Sequence, residues 1–124
     1  MAMQESGEMY LETIYVLSQR SNYVRAIDIG EEMGFSKPSV SRALGLLKDE
    51  GMVTKDDDGY IKLTKDGEKL AKTIYERHTV LTRLFIGLGV DEKIASEDAC
   101  RIEHYISDTT FNAIKAHMKK YGRS

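Results

Sequence analysis

The run Cys100-Arg101-Ile102-Glu103-His104 sets the chain's single cysteine, a glutamate and a histidine at positions i, i+3 and i+4. At 3.6 residues per turn those spacings fall on one helix face. A thiolate, a carboxylate and an imidazole would then converge, a donor mixture suited to a transition metal. Taken alone, the run also fits a buried cysteine beside a hydrogen-bonded histidine. Its meaning depends on the elements that carry it.

Those elements belong to a chain of 124 residues, 41% apolar and 31% charged, a size and composition suited to one compact domain or a small domain with a short interaction module. No apolar run approaches the roughly 18 residues of a membrane span. The start, Met1-Ala2-Met3-Gln4-Glu5-Ser6-Gly7-Glu8, is polar and acidic, unlike a secretory signal. One cysteine cannot close an internal disulfide, so the expected compartment is the cytoplasm, with no membrane partner. A net charge of -2 argues against nucleic-acid binding by bulk positive charge. Local charge is available instead: Ser36 to Lys48 contains Lys37, Arg42 and Lys48 and no acid.

Tyr10, Ile14 and Leu17 form an apolar stripe that predicts a helix over about 5–19. Ala26 to Met33 is a short second helix with Ile29 and Met33 inward, stopped by Gly34. Ser36 as N-cap and Pro38 in the first turn start a third, with Val40, Ala43, Leu44 and Leu47 on its inner face, running to Gly51. The pair reads as a helix-turn-helix. Met52-Val53-Thr54-Lys55 and Tyr60-Ile61-Lys62-Leu63, separated by Asp56-Asp57-Asp58-Gly59, read as a β-hairpin, and a hairpin in that place is a wing. The triple aspartate at its tip would be repelled by phosphates, so wing contacts are expected from Lys55 and Lys62. Thr64 caps a long helix to about Leu88 with Leu70, Ile74, Leu81 and Leu84 or Phe85 inward. Helix resumes after Asp91, with Ser96 as a cap for a Cys100 to Ile106 segment, and a last helix from Ser107 or Asp108 carries Phe111, Ile114 and Met118. The expected fold is mainly α with a small β-hairpin: a winged helix-turn-helix over 1–64, followed by a helical metal-binding and dimerisation domain over 65–124.

This order, with Glu8-Met9-Tyr10-Leu11-Glu12-Thr13-Ile14-Tyr15, Ser36-Lys37-Pro38-Ser39-Val40-Ser41, Leu63-Thr64-Lys65-Asp66-Gly67, Arg77-His78 and Glu97 through Ser107, resembles the diphtheria-toxin-repressor family of metal-dependent transcriptional regulators, nearly end to end. The resemblance implies a non-enzymatic homodimer that binds a double-stranded DNA operator when a divalent metal is present, as a repressor of metal-uptake genes. The family's iron-type site falls on Met9, Cys100, Glu103 and His104. Manganese-type members place acidic residues at the first two of these positions and add a glutamate and a histidine, which match Glu12 and His78. The chain thus combines sulfur donors with the extra carboxylate of the manganese type. Two positions of the iron-type ancillary site fall on Thr82 and Ser96, poor ligands beside His78. Sulfur donors favour Fe(II) over Mn(II), with Zn(II), Co(II) or Ni(II) able to substitute. Larger iron-type relatives continue into a small β-barrel, whereas this chain stops at Ser124. Regulation is therefore expected to run through the helical module, with metal tying the first helix to the helix of Cys100.

The expected DNA contacts are Lys37, Ser39, Ser41, Arg42 and Lys48 on the helix-turn-helix, with Lys55 and Lys62 on the wing. Two other functions compete. A metal-independent winged-helix regulator would use Cys100 as a redox or ligand sensor. A metalloenzyme would need a substrate loop and an open coordination position, and the sequence offers neither.

Overall fold

The structure, a computed structural model, describes residues 5–121. The described chain runs α1 (Glu5–Arg20), α2 (Ala26–Met33), α3 (Lys37–Asp49), β1 (Val53–Lys55), β2 (Ile61–Leu63), α4 (Lys65–Gly87), α5 (Glu92–Ile102) and α6 (Asp108–Tyr121). It divides into two compact units, one ending at Lys72 and one beginning at Thr73.

The first unit is a winged helix-turn-helix. Leu11, Ile14, Ile29, Val40, Leu47, Val53 and Ile61 are buried together in its core, so the inward stripes expected for α1, α2 and α3 are the ones that pack. α2 ends on Gly34, whose φ of 72° is the left-handed conformation that a side chain would oppose. α3 starts on Ser36, whose hydroxyl accepts from Ser39 N. The strands pair antiparallel, with Thr54 opposite Lys62 and Lys55 opposite Ile61. At the turn, Asp56 Oδ1 accepts from the backbone N–H of Asp58 and of Tyr60, so this aspartate builds the tip. The hairpin is also tied at its base: Thr64 Oγ1 donates to Gly51 O at 2.6 Å and accepts from Gly67 N at 3.0 Å, capping α4 as expected.

The second unit comprises α4 from Thr73, α5 and α6, with Ile74, Leu81, Ala95, Ala99 and Phe111 buried. Two expectations are corrected here. α5 is capped by Asp91, whose side chain accepts from Lys93 N, and Ser96 lies within the helix. The helix also ends at Ile102 rather than continuing to Ile106. Glu103 is its C-cap, and His104 lies in the turn that leads to α6. Cys100, Glu103 and His104 therefore do not share one unbroken helix face. The turn closes by short bonds, Tyr105 N and Ile106 N both donating to Ile102 O at 2.9 and 3.0 Å.

Candidate metal centre and nucleic-acid interface

Glu103 is the only charged residue fully buried among the described residues, with no exposed side-chain surface. One carboxylate oxygen, Oε2, lies 2.9 Å from Nδ1 of His78 on α4. The other, Oε1, accepts no hydrogen bond and lies 3.3 Å from Nε2 of His104, whose side chain is also buried. The second nitrogen of His78 is 3.3 Å from the Ser96 hydroxyl, and Thr82 Oγ1 donates to His78 O at 2.7 Å. The two hydroxyls at the ancillary positions are thus engaged with His78 itself.

A buried carboxylate with an unsatisfied oxygen is costly unless a cation compensates it. Imidazole is a good donor to a transition metal, and two lie beside this carboxylate. The donor set therefore fits a divalent cation. Among the other expected ligands, Cys100 is half-buried on α5, and Met9 and Glu12 are half-buried on α1 in the first unit.

Arg77, next to His78 on α4, is a functional candidate that residue type alone does not single out, although Arg77-His78 is among the residues carrying the resemblance. Its Nη1 donates to Glu103 O at 3.2 Å and to Ile106 O at 3.0 Å, Nη2 pairs with Asp108, and the guanidinium lies 5.5 Å from the centre of the Phe111 ring. The spacing of 26 residues between Arg77 and Glu103 hides the contact from local sequence patterns.

In the first unit, Lys37, Ser39, Ser41, Arg42, Lys48, Lys55 and Lys62 are all exposed. A groove of about 240 Å³ runs between α3 and the hairpin, and Ser41, Lys48, Thr54 and Lys55 line it. Lys62 instead lines a separate cavity with Tyr15, Gln19 and Glu68. A further cation lies near the hairpin: Arg25 donates to the Tyr60 hydroxyl at 3.2 Å and stacks on that ring, 4.6 Å from its centre, while Tyr23 packs on the same ring. The Tyr60 partner holds the Arg25 pKa above its usual value.

A winged helix with basic α3, followed by a helical unit built around a buried carboxylate and two imidazoles, has the parts that a metal-responsive DNA-binding protein needs. Residues 2–61 match the N-terminal DNA-binding domain of iron-dependent repressors, and residues 64–124 match the metal-binding and dimerisation domain of the same proteins. The chain belongs to the iron-dependent repressor family of transcriptional regulators. It is 33% identical over 113 residues to the transcriptional regulator MntR of Escherichia coli O157:H7, covering 91% of this chain and 73% of the relative. The diphtheria toxin repressor of Corynebacterium diphtheriae is 30% identical over 121 residues, covering 97% and 54%. The solved structure of the manganese regulator SloR superposes with a TM-score of 0.82 at 31% identity over 91% of this chain. The chain spans about half of that protein's length, 53%. Family membership does not favour the alternative of a metal-independent sensor built on Cys100. Among the described residues, no helix is long and apolar enough to cross a membrane.

Proposed function

We propose that the protein is a cytoplasmic, homodimeric repressor that binds operator DNA when loaded with a divalent metal, with Mn(II) preferred and metal-uptake genes as targets. The observation that carries this reading is the buried Glu103 carboxylate held between His78 and His104 with one oxygen unsatisfied. The ligands we assign are His78, Glu103 and His104, with Met9, Glu12 and Cys100 as the further donors that the family's site positions imply. The preference for Fe(II) expected from the sulfur positions is not supported by the relatives, one of which is a manganese regulator. Carboxylate and imidazole donors suit Mn(II) without sulfur. Because Met9 and Glu12 belong to α1 and the other donors to the second unit, an ion using both sets would tie the DNA-binding unit to the dimerisation unit.

DNA is then met by Lys37, Ser39, Ser41, Arg42 and Lys48 from α3 and by Lys55 from the wing, with Lys62 as a flanking phosphate contact. A second copy covers the apolar surface of the second unit, where Ile86, Leu88 and Tyr121 are exposed and line a groove with Leu84 and Met118. The test selects operator fragments from genomic DNA with Mn(II)-loaded protein. Binding is then measured by fluorescence anisotropy with Mn(II), with Fe(II) under anaerobic conditions, and with a chelator. Binding that requires metal and saturates with Mn(II) at lower free concentration is expected; affinity unchanged by the chelator would overturn the reading.

A further inference from the structure

Glu103 is the C-cap of α5, its N–H donating to Ala99 O, and His104 lies in the turn beyond it, where the carbonyls at a helix end need donors from elsewhere. The helix thus holds Glu103 through its N–H, while its carbonyl takes a donor from outside α5. Arg77 supplies what the helix end lacks. It donates to Glu103 O and to Ile106 O, two carbonyls on either side of the turn, and reaches on to Asp108, the first residue of α6. Its side chain is only 15% exposed, and Phe111 backs it, so the guanidinium is held on one side by an aromatic ring. The consecutive residues Arg77 and His78 thus grip the same glutamate, one by its backbone carbonyl and the other by its carboxylate.

We infer that Arg77 is a positioning residue for the metal centre: by bridging the Glu103 and Ile106 carbonyls it holds the α5–α6 turn in the form that presents the Glu103 carboxylate to His78. This rests on the reading of Glu103 and His78 as metal ligands. A guanidinium can span the two carbonyls and the carboxylate at once because its donors are fixed in a planar fork. A lysine ammonium keeps the charge but lacks that fork. Groups that orient metal ligands typically contribute about 10- to 100-fold in affinity. The Asp108 arm is the weaker one, since that side chain is 84% exposed.

The experiment measures Mn(II) affinity of the full chain by isothermal titration for the wild type, R77K, D108N and F111L, together with thermal unfolding of each apo protein. F111L removes packing beneath the guanidinium while leaving its carbonyl bonds, and so calibrates what general destabilisation of this unit does to metal binding. R77K is expected to bind Mn(II) about 10- to 100-fold more weakly. D108N is expected to stay within about threefold of the wild type, the range left to an exposed ion pair. F111L is expected to lower the midpoint of unfolding with a smaller loss of affinity than R77K. Wild-type affinity in a folded R77K would overturn the positioning role alone. An R77K loss no greater than that of F111L at equal destabilisation would reduce Arg77 to a stability residue. Should R77K fail to fold at about 20 °C, R77Q, which keeps part of the donor capacity without charge, takes its place under the same criteria. A wild type that binds no Mn(II) would overturn this inference together with the reading on which it rests.

Discussion

Replacing Glu103 by glutamine separates the cost of the buried carboxylate from its use. The E103Q side chain keeps the shape and a hydrogen bond to His78 Nδ1, which lies 2.9 Å from the parent carboxylate, while removing a charge that has no exposed surface. Apo stability should therefore change by no more than about 1 kcal/mol, since the weaker hydrogen bond of the amide is offset by the relieved desolvation of the charge. Metal-dependent stability should behave differently. With Mn(II) at about a hundredfold excess over the wild-type Kd, binding stabilises the folded state by about 2.7 kcal/mol. A ligand contributes at least what an outer-shell partner does, so affinity should fall about 100-fold. At the same metal concentration only about 0.4 kcal/mol of stabilisation would remain. For a chain of this size about 1 kcal/mol corresponds to about 4 °C, so a metal-induced rise of about 10 °C in the wild type should shrink to about 2 °C in E103Q. Thermal unfolding by circular dichroism with and without Mn(II) reads both quantities. A variant that keeps the full rise would show that Glu103 does not touch the ion.

Three further outcomes follow from residues placed in the first unit. Arg42→Ala should weaken operator binding by about 1 to 3 kcal/mol if its guanidinium reads a base, and an unchanged anisotropy titration would remove it from the interface. Gly67→Ala should destabilise the fold by about 2 to 4 kcal/mol in urea denaturation, combining overpacking with the loss of the Thr64 N to Met52 O bond. Its Cβ would fall onto Met52 O, a clash only backbone movement can relieve, so a loss below about 0.5 kcal/mol would contradict that packing. Burial raises the Tyr10 pKa above its ordinary value of 10.0, so the folded state holds this proton more tightly than the unfolded chain. Its contribution is complete below that pH and lost as pH rises through the folded value. Tyr10→Phe should therefore show a shallower alkaline fall in urea midpoint, and identical slopes would refute the assignment.

The winged helix is legible in the sequence because each of its elements is announced locally. Ser36 and Pro38 mark the start of α3, Gly34 the end of α2, and Asp-Gly the hairpin turn, and in each case the signal is a backbone requirement met by one residue type. The inward stripes are legible for the same reason, since burial of one face imposes a period. Two local inferences fail at α5. Ser96 is a good cap by type, but Asp91 sits directly after the Gly89 turn and caps first. Ser96 is left to meet His78 across the unit. The i, i+3, i+4 spacing suits a helix continuing through His104, whereas the backbone leaves the helix at Glu103.

The candidate metal centre is legible in residue type but not in arrangement. Cys, Glu and His at close spacing point to metal chemistry whether they lie on a helix or across its end. Which oxygen of Glu103 meets which imidazole depends on where α4 brings His78, a contact spanning 25 residues. The same holds for Arg77, whose side chain reads as an ordinary cation on an amphipathic helix until its carbonyl partners are known. That difference bears on metal choice. Sulfur at Met9 and Cys100 suggests a softer ion when ligands are weighed by type alone. The buried carboxylate between two imidazoles shifts the weight toward oxygen and nitrogen, a set that accepts Mn(II) and leaves sulfur to raise affinity for later metals. On the proposed reading, sulfur decides which ions compete for the site, while Glu103 and His78 decide whether any divalent ion is held.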